Sequence, residues 1–168
     1  GDSASATGGG SIAIGQNTSV TGGGSTALGF GATVTAPTAA IAIGDAPASG
    51  VGSLAIHDNS LSSSSYSVAI GYWSQATGSS ATALGYSSEA TGPSATAIGY
   101  SAEATAESST ALGHGAQANA IDSIAIGRQL TTTGQEAIGI GHGAAASGGT
   151  SISIGADSEA TVAGSIAV

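Results

Sequence analysis

The apolar positions of this chain fall into short alternating clusters separated by glycine, serine and threonine, and the clusters recur on a fixed period. Each cluster closes on a glycine, at residues 15, 29, 44, 71, 85, 99, 113, 127, 141 and 155, and His57 stands where one glycine is missing. Nearly every step is 14 residues; the step from Gly29 to Gly44 is 15 and that from Gly44 to His57 is 13, so the register returns by Gly71. Counted from Gly1, one step before Gly15, the 168 residues make twelve units of 14.

Stacking the units gives columns, each with its own chemistry. The residue before the glycine is Ile or Leu (Ile14, Leu28, Ile43, Ile56, Ile70, Leu84, Ile98), and two places earlier stands a β-branched residue or Leu (Ile12, Thr26, Ile41, Leu54, Val68, Thr82, Thr96). Between them lies a small residue: Ala13, Ala27, Ala69, Ala83, Ala97, Ala111 and Ala125, with Gly139 and Ser153 as variants. Alternation with period two and β-branched enrichment predict a short strand. A second strand is predicted around Glu89-Ala90-Thr91, where a small or apolar residue (Val20, Val34, Ala76, Ala90, Ala104) alternates with Gln, Glu and Thr. Two strands and two turns consume the 14 residues, and successive coils pairing about 4.8 Å apart build a rod roughly 55–60 Å long. The stretch 36–66 departs from the pattern and predicts a bulged or decorated coil within a single solenoid domain spanning 1–168.

The first strand is restricted on both faces, which predicts burial on both. One face meets the partner sheet inside the roll; the other needs another chain. Ile and Leu are assigned to the interior and the Ala column (Ala13, Ala27, Ala69, Ala83, Ala97, Ala111, Ala125) to the subunit contact; the reverse assignment predicts the same self-association.

Composition narrows the partners. Of the charged residues, ten are acidic and one basic, giving a net charge of −9, with no cysteine or methionine and 29 glycines. Phosphate recognition needs clustered Lys and Arg, so nucleic acid is excluded and anionic lipid disfavoured. Only 7% of residues are charged and the apolar spacing is regular, opposite to the signature of disorder. The absence of cysteine excludes disulfides and thiolate metal sites. No apolar run reaches membrane-spanning length, so direct membrane insertion by these residues is not expected, and Gly1 does not open a signal peptide, which suggests a segment of something longer.

Candidate chemistry is sparse, and neither a catalytic residue, a cofactor nor a metal site is assigned. His57, His114 and His142 are the only candidate bases; His114 and His142 share a column two coils apart, about 9–10 Å, too far to share a metal. Glycines at 8–10 and 22–24 lack the acidic residue of calcium-binding nonapeptide repeats, and the sequence 29–34 has no following Lys for a phosphate loop. The column after the motif glycine is different: Tyr72, Tyr86, Tyr100, His114, Arg128 and His142 stack on one edge, with Trp73 beside Tyr72. These residue types favour ligand surfaces, and the alternative is that the rings only support neighbouring coils.

The motifs Ser11-Ile12-Ala13-Ile14-Gly15, Ser67-Val68-Ala69-Ile70-Gly71, Ser123-Ile124-Ala125-Ile126-Gly127 and Ser151-Ile152-Ser153-Ile154-Gly155 resemble the repeat of trimeric autotransporter adhesin heads of the YadA type. The resemblance implies an all-β, left-handed parallel β-roll solenoid with two short strands per coil, assembled side by side as a homotrimer. It also implies a bacterial cell-surface adhesin that binds host extracellular matrix or cell-surface molecules, with neck, stalk and an outer-membrane anchor outside these residues. The sequence departs from that family where Asn commonly precedes the Ser, since Gly10, Tyr66, Asp122 and Thr150 stand there, and at His57. A purely structural spacer and an ice-binding solenoid are the alternatives. Ice binding is suggested by the run Thr77, Thr91, Thr105 but opposed by Gln75, Glu89 and Glu103 beside it. A hexapeptide acyltransferase helix needs eighteen residues per turn, which fourteen does not supply.

Overall fold

The computed structural model describes residues 2–168; Gly1, counted above as the first motif glycine, lies outside them. Among the described residues, twenty-four strands form two parallel sheets of twelve, and the chain alternates between the sheets at every strand. One sheet is built mainly from three-residue strands such as Thr82–Leu84 and Thr96–Ile98, the other from two-residue strands such as Glu89–Ala90 and Glu103–Ala104. Pairing is in register by one coil: Ala83 lies beside Ala97, Leu84 beside Ile98, and Ala90 beside Ala104. Like therefore stacks on like along the rod, as a one-dimensional repeat requires.

The structure reverses the expected assignment of the two faces. Ala27, Ala69, Ala83, Ala97, Ala111 and Ala125 are fully buried within the single chain and Ala13 is partly buried, so this column lines the roll and is not a subunit contact. The Ile/Leu columns point outward instead, with Leu84 40% and Leu112 41% exposed. The physical reason is thickness. Each coil contributes four inward columns, for example Ala81, Ala83, Ser88 and Ala90, all fully buried and all small. The short corners hold the two sheets too close for a layer of Leu or Ile between them, so methyl groups and serine hydroxyls fill the interior. Some of those hydroxyls pair across it, Ser62 with Ser67 at 2.6 Å and Ser153 with Ser158 at 2.7 Å.

One coil shows how tight the space is. Leu130 and Thr132 are two of the few larger side chains inside, both fully buried, and the residue facing them is Gly139 in the Ala column. A Cβ on Gly139 would come 2.8 Å from Thr132 Oγ1 and 3.1 Å from Leu130 Cδ1. The glycine gives up the volume that Leu130 and Thr132 take. Gly139→Ala is expected to destabilise the fold by about 1–3 kcal/mol through overpacking. Gly139→Ala should cost less in a Leu130→Ala background than in the parent, measured by chemical denaturation as a double-mutant cycle, and equal costs would show that Leu130 does not set the limit.

The stretch 36–66 keeps the same architecture. The strands Ile41–Ile43, Pro47–Ala48, Leu54–Ile56 and Leu61–Ser62 continue both sheets, and Thr26 still pairs with Ile41. The additional residue is absorbed in the corner 35–40, where Ala39 takes φ 57°, and the missing one in the corner 44–46, closed by the Ala46 amide donating to the Gly44 carbonyl at 2.7 Å. One corner lengthens and the next shortens, leaving the strands in register.

Candidate functional site: an edge ladder and an apolar sheet

The corner that follows each three-residue strand turns on the motif glycine. Gly85, Gly99 and Gly113 have φ of 135°, 137° and 132°, where only glycine is comfortable. Two residues further on, Ser87, Ser101 and Gly115 adopt left-handed conformations at φ 50°, 49° and 62°, as does Trp73 two residues after Gly71, at 58°. The residue between them is the ladder residue. Its carbonyl accepts from the next coil, Ser87 N–H to Tyr72 and Ser101 N–H to Tyr86, both at 2.9 Å. Successive side chains thus leave equivalent backbone positions held by equivalent bonds, and they stack.

Tyr72 lies over Tyr86 with centroids 5.7 Å apart, Tyr86 over Tyr100 at 5.1 Å and an interplanar angle of 5°, and Tyr100 over His114 at 4.9 Å and 8°. Trp73 stacks on Tyr72 at 5.0 Å. Of the seven residues singled out on this edge, five are therefore joined by ring contacts. Arg128 and His142 occupy the same column above them, exposed, and outside the ring stack. His142 instead faces Asp157, Nδ1 to Oδ1 3.8 Å, a surface pair of little energetic weight. The lower end holds a contact that sequence reasoning missed: His57, in the position of a motif glycine at φ 97°, meets Tyr72 edge-on at 5.9 Å. The signal was present, since the missing glycine falls one coil before the first ladder tyrosine.

The second feature is the outer surface of the three-residue-strand sheet. Its two outward columns are Ile, Leu, Val and Thr along all twelve strands, and Ile12, Ile14, Ile41, Ile43, Leu84 and Leu112 are among its exposed members. An exposed, mainly apolar surface of this length is larger than a solitary soluble chain ordinarily leaves in water. The opposite sheet is polar outside: Gln117 Nε2 donates to Glu103 Oε2 at 3.1 Å and Thr131 Oγ1 to Gln117 Oε1 at 3.3 Å. Glu89 and Glu103 share the face that carries Thr91 and Thr105, so the threonine run is interrupted by charge, as the alternation indicated.

Among the described residues there is no cavity and no group of three or more metal-ligating side chains, and no helix is long and apolar enough to cross a membrane. What the geometry offers is surface: one aromatic edge, one apolar sheet and one polar sheet on a rod. The family model described as the YadA head domain repeat (2 copies) matches residues 1–18, 6–32, 48–74, 62–88, 76–102, 90–116, 104–129, 133–158 and 146–168. The residues between those matches, 33–47 and 130–132, hold the lengthened corner and the bulky Leu130 and Thr132. No curated protein matches the chain.

Proposed function

Because the chain belongs to the YadA head domain family, we propose that it is the adhesive head of a bacterial surface protein, displayed beyond the outer membrane as a homotrimer and attaching to host extracellular matrix or cell-surface molecules. The observation that carries the assembly is the outward Ile/Leu sheet. Each Ile or Leu removed from water contributes about 1.5–3 kcal/mol when fully buried, and one side of this rod carries them along its whole length. Three parallel copies turned about an axis along the rod would bury that sheet in each copy, a closed ring of head-to-tail contacts.

The adhesive role follows from family membership and from the remaining surface. With the apolar sheet covered, the aromatic edge and the polar sheet stay available, and three copies repeat each of them. Weak contacts repeated on one rigid body raise avidity without new chemistry. The test is attachment of the purified head to immobilised matrix proteins and to host cells. Saturable attachment is expected, and Tyr86→Ala with Tyr100→Ala should weaken it at least tenfold while the assembly and its melting temperature stay nearly unchanged. Lost thermal stability in that variant would assign the ladder to coil support instead, and absence of attachment to any matrix protein or cell would contradict the adhesive reading.

A further inference from the structure

We propose that the edge ladder binds an uncharged, linear β-(1→4)-linked glycan lying parallel to the rod, one sugar per coil over Tyr72, Tyr86, Tyr100 and His114, with Trp73 flanking Tyr72 and Tyr86. This rests on the reading of the rod as an adhesive head and names a ligand class for it.

The first argument is spacing. The ladder rings repeat at 5.7, 5.1 and 4.9 Å. The coils themselves rise about 4.8 Å, and an extended β-(1→4) pyranose chain advances by nearly that increment per sugar with alternate units turned over, so each of the four coils meets one sugar. An extended peptide advances only about 3.3 Å per residue and drifts out of step. The second is chemistry. Near-parallel stacking uses up the ring faces, leaving the edges with their hydroxyls for a partner. No hydrogen bond among the described residues engages the hydroxyls of Tyr72, Tyr86 or Tyr100, although Tyr86 and Tyr100 are about half exposed. A phenol both donates and accepts, which suits the alternating hydroxyls and ring oxygens of a sugar chain. His114 adds a ring nitrogen at the fourth level.

Trp73 supplies what the stack withholds. It rests on Tyr72 at 5.0 Å and keeps half its surface exposed, an aromatic face on which an apolar pyranose face packs. Charge selects against acidic glycans, because the chain carries −9 and Arg128 is its one basic residue of the Lys/Arg type. The ladder is also pre-organised: the carbonyls of Tyr72, Tyr86, Tyr100 and His114 each accept from the next coil at 2.8–2.9 Å, so little backbone ordering is left for binding.

The test uses the assembled head with two soluble hexasaccharides of the same glucose units, cellohexaose (β-linked, extended) and maltohexaose (α-linked, coiled). Trp73 is the sole tryptophan, so its fluorescence reports directly. Cellohexaose should give a saturable change and maltohexaose at least tenfold weaker binding. Tyr86→Phe with Tyr100→Phe keeps the stack and removes only two hydroxyls; it should weaken cellohexaose at least tenfold with the melting temperature unchanged. No response to cellohexaose, equal binding of the two sugars, or full binding by the double Phe variant would overturn the proposal. Attachment to matrix proteins and host cells, measured on the same preparations, separates the two levels: attachment without glycan binding overturns this inference and leaves the adhesive head standing.

Discussion

Gly99→Ala is expected to destabilise the head by more than about 3 kcal/mol, enough to abolish a folded rod in marginal conditions. Two costs coincide there. The φ of 137° lies where side chains with a Cβ are strained, and the new methyl would overlap the Gly113 carbonyl oxygen of the next coil. Neither atom can move, because the Gly113 amide is tied to Ile98 at 2.8 Å and the Gly99 amide to Leu84 at 2.9 Å. Gly115→Ala is the matched control: its φ is 62°, but the nearest atom to an added Cβ is 3.7 Å away, so only the conformational term of about 1–2 kcal/mol applies. Guanidinium denaturation of the two variants beside the parent protein measures the difference, and equal losses would show that contact between coils is not what demands the motif glycine.

The second large effect separates the two faces of the same strand. Leu84→Glu with Leu112→Glu places two carboxylates on the outward apolar sheet, where a single chain leaves both positions about 40% exposed. Such a chain can still close its own coils, so the expected result is loss of assembly with retained β-sheet circular dichroism. Ala83→Glu with Ala97→Glu puts two charges into the inward column of the same strands, at positions with no exposed surface. A buried unpaired carboxylate costs several kcal/mol and the roll has no room for the side chain, so the fold itself should be lost. Identical behaviour of the two double variants, by circular dichroism and sedimentation together, would contradict the placement of alanine inside and leucine outside.

The period, the two strands per coil and the parallel stacking were legible because like residues recur at one spacing: Ala83 and Ala97 fall side by side as the sequence aligned them. Restriction in both columns of the first strand predicted burial on both faces; the single chain buries the Ala face and leaves the Ile/Leu face outward. Which face lay inside was misjudged by treating Leu84 and Ile98 as core residues on hydrophobicity alone. The better guide was size. The facing columns, Ala76, Ala90 and Ala104, are small, as are the flanking ones at Ser74, Ser88 and Ala102, and a roll bounded by small residues on one side can admit only small residues on the other. The left-handed corners also went unread. Asn17, Asn59, Gly31, Gly115 and Gly143 share one corner column, Gly10, Gly24, Gly52 and Gly164 the other, and both columns have positive φ. That conformation explains why Asn or Gly suits the place before the motif serine, and why Tyr66, Asp122 and Thr150 occupy it in the same left-handed geometry, φ 56–59°. At the ladder, sequence placed Tyr72, Tyr86, Tyr100 and His114 in one column, but whether rings touch depends on corner geometry, which admits His57 and leaves Arg128 and His142 outside.

The assembly proposed for this head rests on the apolar sheet being covered by two further copies of the chain. Sedimentation equilibrium of the purified protein and of Leu84→Glu with Leu112→Glu at micromolar concentration measures this directly. A mass three times that of the chain for the parent and one chain mass for the variant is the expected outcome. A monomeric parent, or a variant that remains three chains, would contradict it.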